Sequence, residues 1–170
     1  CHKWMCAPKG SSFLYVAKNF QKGMSPQIMS WGEQGDDPGP SQFLMDFQWQ
    51  GTKDMSAFLA IPSAIRFLQK NKWKEKSVIS KNLISHLADR LKDILGTESL
   101  FKNKNWIGQM ISHPLPMNSP INLKDILRND FKIEVPIFEW KKRNFIRVSA
   151  HFYNDQKDMD HLIKALKEIF

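Results

Sequence analysis

Cysteine is scarce in this sequence, with two residues among 170, at positions 1 and 6. That excludes a disulfide framework, and no His/Cys set has the spacing of zinc ligands, so no metal site is expected. Long apolar runs are missing as well. Nothing approaches the roughly 20 residues that a membrane-spanning helix needs, so no membrane span is expected. No positively charged stretch runs into an apolar one near the beginning, so those residues do not read as a signal peptide. The sequence opens Cys1-His2-Lys3 without a methionine and is read as the C-terminal part of a longer protein. With so few thiols, a reducing cytoplasm is the expected compartment. Internal repeats and low-complexity tracts are also lacking.

What is present is an ordinary globular composition, 42% hydrophobic and 25% charged, in a chain long enough to bury a core. Basic residues outnumber acidic ones, 25 to 17, for a net charge of +8. Such a balance can signal nucleic-acid binding. Here the lysines fall in separate clusters, Lys70 to Lys76, Lys102 to Lys104 and Lys141 to Arg143, which read as solvated faces. No nucleic-acid partner is expected. The balance also suits an enzyme for anionic cofactors and substrates.

The hydrophobic pattern divides the chain. Ser11 to Val16, entered through Pro8-Lys9-Gly10, reads as a short buried strand. Residues 22–42 are rich in Gly, Pro, Ser and Asp and read as a long loop, of the kind that often carries function. Asp54 to Lys70 is helical in period, with Asp54 as a cap candidate and Pro62 predicting an interruption. A longer helix is predicted from Lys74 to Leu95, ended by Gly96, with Ile79, Leu83, Leu87, Leu91 and Leu95 as its packing stripe. Beyond it come a strand in Asn105 to Leu115, a helix Asn122 to Asn129, strands Lys132 to Phe138 and Phe145 to His151, and a terminal helix Gln156 to Phe170. The strands flank the basic turn Lys141-Lys142-Arg143-Asn144, and Asn154 and Asp155 are cap candidates for the last helix. This βαββα run predicts a small α+β domain after the long helix.

Three segments carry residues that plain structure does not require. Lys3 stands beside His2 just before a Pro/Gly turn, where a lysine taken alone reads as a surface residue before it reads as a catalytic one. Gly51-Thr52 precedes a helix, where backbone N–H groups and a hydroxyl suit a phosphate, or form a simple cap. Arg147 lies inside the apolar strand Phe145-Ile146-Arg147-Val148, and a buried arginine needs an anion, either a substrate carboxylate or a structural ion pair.

Taken together, the segments HKWMCAPKGSSFLYV, WQGTKDMSAFLAIPSAIRFL and IEVPIFEWKKRNFIRVSAHFYN resemble the class V aminotransferase family of pyridoxal phosphate enzymes, and within it the isopenicillin N epimerase-like members. The resemblance covers nearly the whole chain, with the motifs in order. It implies an α/β fold, the C-terminal part of a fold-type I transferase. Residues 1–73 would be the end of the large cofactor-binding domain, 74–96 a connecting helix, and 97–170 the small C-terminal α+β domain. It also implies that Lys3 carries pyridoxal phosphate as a Schiff base. Only an amine condenses reversibly with the cofactor aldehyde, and it must shed a proton that a free lysine holds up to about pH 10.4. Once released, the amine becomes the base at the substrate α-carbon while the pyridine ring accepts electrons.

By the same resemblance His2 lies near the cofactor phosphate. Gly51 and Thr52 reach the phosphate of a neighbouring subunit, which implies a homodimer with shared active sites, and Arg147 grips the α-carboxylate of an amino acid or small-peptide substrate. Trp31, followed by Gly32, falls on the rim of the site. Two departures bear on the reaction. No cysteine lies between Cys6 and Arg147, so desulfurase chemistry through a persulfide is not expected, and Trp49-Gln50 stands where desulfurases tend to have arginine. Cys6 reads as a small buried filler. The phosphate loop, the ring-stacking aromatic and the aspartate facing the pyridine nitrogen belong to upstream sequence, so this chain alone is expected to be inactive. Epimerisation, transamination and C–S cleavage share the first step and remain open, as does a non-catalytic basic module on the same fold.

Overall fold

A computed structural model describes residues 1–33, 41–48 and 51–170. Residues 34–40 of the predicted loop, and the Trp49-Gln50 pair, lie outside the described residues. The chain divides into two compact units, Cys1–Leu68 and Gln69–Phe170.

The first unit is built from short helices: α1 (Lys18–Gln21), α2 (Gln42–Gln48), α3 (Ser56–Leu59) and α4 (Ile61–Lys70), the last running into the second unit. The strand expected at Ser11 to Val16 does not form, and Phe13, Leu14 and Tyr15 are exposed. A strand is stable only when a neighbour takes up its N–H and C=O groups, and the described residues of this unit contain no other strand. The expected interruption near Pro62 is present: α3 ends at Leu59, and Pro62 sits in the first turn of α4, where its missing N–H costs no hydrogen bond. The cap expected at Asp54 is displaced: Met55 is the N-cap residue of α3 and offers no side-chain cap bond, while Asp54 stands one position earlier and accepts from Ser56 N at 2.8 Å. Ile65 is exposed, and the buried residue of α4 is Ala64.

The second unit holds the core. Helix α5 (Trp73–Leu95) ends where Gly96 turns left-handed at φ +61° and donates to Lys92 O. Its buried face is Ser80, Ile84, Leu87, Ala88, Leu91 and Leu95. The predicted stripe fails at its N-terminal end, with Ile79 59% exposed. A step of four residues on a 3.6-residue period drifts about 40° each time, so four steps back from Leu95 lead to the opposite face.

Strands β1 (Met110–Pro114), β2 (Ile137–Trp140) and β3 (Arg143–Ser149) form an antiparallel sheet in the order β1-β3-β2. Between β1 and β2 runs α6 (Leu123–Asn129), and α7 (Gln156–Ile169) closes the unit. The expected βαββα order is observed, with shifted edges. A 3-10 turn, Lys104–Trp106, replaces the start of the first predicted strand, and Lys132, at φ +59°, breaks the start of the second. The hairpin loop is Lys141-Lys142, both at positive φ between the paired Trp140 and Arg143, the backbone twist that matches a two-residue connection.

Ile146 and Val148 of β3, Ile111 of β1, Leu127 of α6 and Leu166 of α7 meet the buried face of α5 in one core. Each fully buried Leu or Ile contributes about 1.5–3 kcal/mol relative to exposure. The ion pairs outside it, Arg90–Asp160, Lys92–Glu98 at 2.9 Å and Lys104–Asp89 at 2.6 Å, are solvent-facing and add little.

Candidate cofactor and substrate site

Lys3 opens a tight turn. Its carbonyl accepts from Cys6 N at 3.1 Å, Ala7 N donates to Cys1 O at 3.1 Å, and Cys6 adopts φ +58° to close the bend. The side chains of His2 and Lys3 are exposed, and no carboxylate of the described residues lies within ion-pair reach of the Lys3 amine. Cys6 is exposed rather than a buried filler, since the turn carries it outward. The chain then bends again at Gly10, φ +89°, and the buried Ser11 hydroxyl fastens this second turn by donating to Pro8 O at 2.8 Å.

Gly51, φ +84°, and the exposed Thr52 lie ahead of α3, but the helix begins only at Ser56. Asp54 occupies its N-terminus, taking Ser56 N at 2.8 Å and Ser56 Oγ at 2.9 Å, and these bonds hold its carboxyl below the usual range. The expected phosphate cradle at a helix N-terminus is therefore corrected. The N–H of this one-turn helix is engaged by a carboxylate, and what Gly51-Thr52 presents is a left-handed turn with an exposed hydroxyl.

Trp31 is 77% exposed on a 3-10 turn, Trp31–Glu33. Gly32 fixes that turn against α2: a Cβ at this position would stand 1.9 Å from Met45 O, so no other residue fits. Gln42 Nε2 adds a bond to Gly32 O at 3.2 Å. Between residues 12–14, α2 and residues 53–58 lies an open recess of about 620 Å³ walled by Phe13, Phe43, Phe47 and Phe58, with Lys53 poised 5.1 Å from the Phe58 ring. Sequence periodicity did not foretell it, because its walls come from three separate short segments.

Arg147 lies in the second unit, opposite Ser112 of β1, with its backbone N donating to Pro136 O at 2.9 Å. The expectation of a buried arginine is corrected. Strand alternation sends Ile146 and Val148 into the core and turns Arg147 to the exposed face. Among the described residues no carboxylate pairs with it, which removes the structural ion pair as its explanation. Along the same face Phe145 is covered by Phe138, stacked at 5.7 Å, and by Trp140, so one end of the face is roofed. Arg147 thus combines an open guanidinium with a rigid strand beneath it, a geometry suited to a carboxylate. His2, Lys3, Trp31, Gly51 and Thr52 belong to the first unit and Arg147 to the second.

Among known proteins, the sequence model of a family described as aminotransferase class-V matches residues 1–162. An isopenicillin N epimerase of Amycolatopsis lactamdurans is 31% identical over 99% of this chain and 45% of its own length. A probable chloroplastic L-cysteine desulfhydrase of Arabidopsis thaliana is 25% identical over 97% of this chain and 38% of its own. In structure, alanine–glyoxylate aminotransferase from a Nostoc species superposes with a TM-score of 0.53 over 71% of this chain and 33% of that one, at 22% identity. The chain spans less than half the length of these relatives.

Proposed function

The chain belongs to the class V aminotransferase family, and from that premise we propose that it supplies the cofactor lysine and the carboxylate arginine of an enzyme acting at the α-carbon of an amino acid or small peptide. The family works with pyridoxal phosphate, and its fold is that of fold-type I aminotransferases. In this reading residues 1–73 end the large domain, 74–96 connect, and 97–170 form the small domain. The observation that carries it is Arg147, an unpaired cation on the open face of an otherwise core-forming strand. Lys3 fits the cofactor, since a hydrogen-bonded turn displays its amine at the surface.

When bound, the cofactor supplies an electron sink for the bond that breaks at the α-carbon. Lys3 Nζ would hold the cofactor, and as a free amine it would take and return the α-proton. Arg147 holds the α-carboxylate, which orients that carbon, and Trp31 stands at the rim. His2 would stand near the cofactor phosphate. Thr52 would offer its hydroxyl to the phosphate of a neighbouring subunit's cofactor, in a homodimer with shared active sites. The exposed Phe13, Tyr15, Phe20 and Leu59 of the first unit favour such a partner surface. No described helix is long and apolar enough to cross a membrane, and both cysteines are free thiols, which favours a reducing cytoplasm.

Epimerisation is the leading outcome, following the epimerase resemblance. C–S cleavage is the second reading, favoured by the desulfhydrase relatives. The test uses the full-length protein with pyridoxal phosphate. It should show an absorbance band near 410–430 nm (roughly, as for this cofactor bound to an amine), and borohydride reduction should fix the cofactor mass on the peptide containing Lys3. Both should vanish in K3A. Retention of the band in K3A would overturn the assignment, and salt-sensitive nucleic-acid binding without any band would favour a non-catalytic basic module.

A further inference from the structure

A carboxylate presents two oxygens with about four lone-pair sites, and one guanidinium fork satisfies two of them. In a dry site the remaining lone pairs need a second donor, and the register of the sheet identifies the side chain in place to be one. Ser112 is directly opposite Arg147 across β1 and β3. Residues in direct cross-strand register point to the same face with Cβ atoms about 4.5–5.5 Å apart. Ser112 is half-buried, beside the exposed Arg147, and its hydroxyl makes no hydrogen bond among the described residues.

The other neighbours on that face cannot take the role. On the β2 side Arg147 is flanked by Pro136, which has no N–H, and the Pro136 carbonyl already accepts from Arg147 N. Met110 is apolar, and Phe145 is covered by Phe138 and Trp140. Ser149 is two residues further along β3, about 7 Å away by strand rise, opposite Met110. No acidic side chain stands on this face of the three paired strands, so nothing there competes for the cation or repels an anion.

We propose that Ser112 is a second substrate-binding residue, its hydroxyl donating to the carboxylate that the Arg147 guanidinium grips. The inference rests on the reading of Arg147 given above, and adds to it a one-cation, one-hydroxyl clamp selective for a monocarboxylate end group. A hydroxyl serves well here because its hydrogen rotates to whichever oxygen the fork leaves open.

The experiment uses the full-length protein loaded with pyridoxal phosphate and titrates it with propionate, with propionamide as the neutral shape control, by isothermal calorimetry. Wild type should bind propionate in preference to propionamide, and R147A should lose that preference. S112A should bind propionate roughly tenfold more weakly, the scale of one hydrogen bond to a charged group. S112T, which keeps the hydroxyl, should recover most of the loss, and S149A should bind as wild type does. If S112A binds propionate as wild type while R147A does not, the proposal is overturned and the Arg147 reading stands. If R147A retains the preference, the Arg147 reading itself fails. A weakened S112A that S112T does not rescue would mean a packing effect, and would equally overturn the hydroxyl's role.

Discussion

His113 illustrates how one enclosed side chain sets a pH limit on the fold. It is 1% exposed within β1, its Nε2 lies 3.0 Å from Thr97 Oγ, and that hydroxyl already donates to Pro114 O at 2.7 Å. The imidazole must therefore be the donor, protonated at Nε2, which leaves Nδ1 as a bare acceptor with no partner among the described residues. A second proton would place an N–H where nothing accepts it. Burial accordingly pushes the His113 pKa below its ordinary value, with Thr97 and Glu98 opposing more weakly. The sign follows from linkage. The unfolded chain takes up a proton near the ordinary pKa of about 6.5 while the folded one does not, so this contribution is intact above that pH and is lost as pH falls toward the folded pKa. Stability should decline from about pH 6.5 downward, by at most about 1.4 kcal/mol per pH unit for one proton. H113Q keeps a donor for Thr97 but cannot titrate, so urea midpoints between pH 5 and 7 should be flatter for it. Parallel pH profiles for the two proteins would remove His113 as the cause. Carboxylates held low by hydrogen bonds, such as Asp54 and Asp160, act only in more acidic solution.

Helix α7 shows the same logic in a whole element. Its Asp155 accepts from Lys157 N at 2.8 Å and Asp158 N at 3.3 Å, while Asp158 Oδ2 accepts from Asp155 N at 3.2 Å, a reciprocal capping box. Because Met159, Leu162, Ile163 and Leu166 of this helix enter the core, fraying at its start reaches the packing of the unit. D155A should therefore destabilise by about 1 kcal/mol, and D155N by much less, read as denaturant midpoints at neutral pH. Equal losses in the two variants would show that charge, not the cap bond, matters. This helix was legible in the sequence because its signals are local: a cap residue, a 3.6-residue period and no breaker. Gly96 and Pro62 were legible for the same reason. Ser11 to Val16 was not, since strand formation depends on a neighbour that local sequence cannot supply, and the α5 stripe slipped because stepping by four outruns the helical period. At the site, Lys3, Thr52 and Arg147 stood out by residue type, but the exposure of Arg147 and the place of Ser112 depend on sheet register, which links residues 35 positions apart.

At the scale of the molecule, burial is unevenly shared. Among the described residues, Ala7 and Ala64 are the buried hydrophobics of the first unit, and the rest of the core belongs to the second. Ordering a residue costs about 1–2 kcal/mol of backbone entropy, and two buried alanines, with the half-buried side chains of α2 and α3 beside them, offset less of it than the core of the second unit does. Meanwhile Phe13, Tyr15, Phe20, Ile28, Trp31 and Leu59 stay exposed, an apolar surface that gains stability only when something covers it. The second unit has the opposite balance, with two long helices and a three-stranded sheet sharing one core. Residues 69–170 made alone should therefore unfold in one cooperative transition by circular dichroism, and should give dispersed amide resonances. Residues 1–68 made alone should show neither, and within the intact chain their amides should exchange far faster than those of α5 and α7. A cooperative transition for 1–68 alone would mean that the first unit draws on packing beyond these contacts. The imbalance also bears on function. The proposed clamp of Arg147 and Ser112 stands on the unit with its own core, whereas Lys3 stands on the unit that buries little.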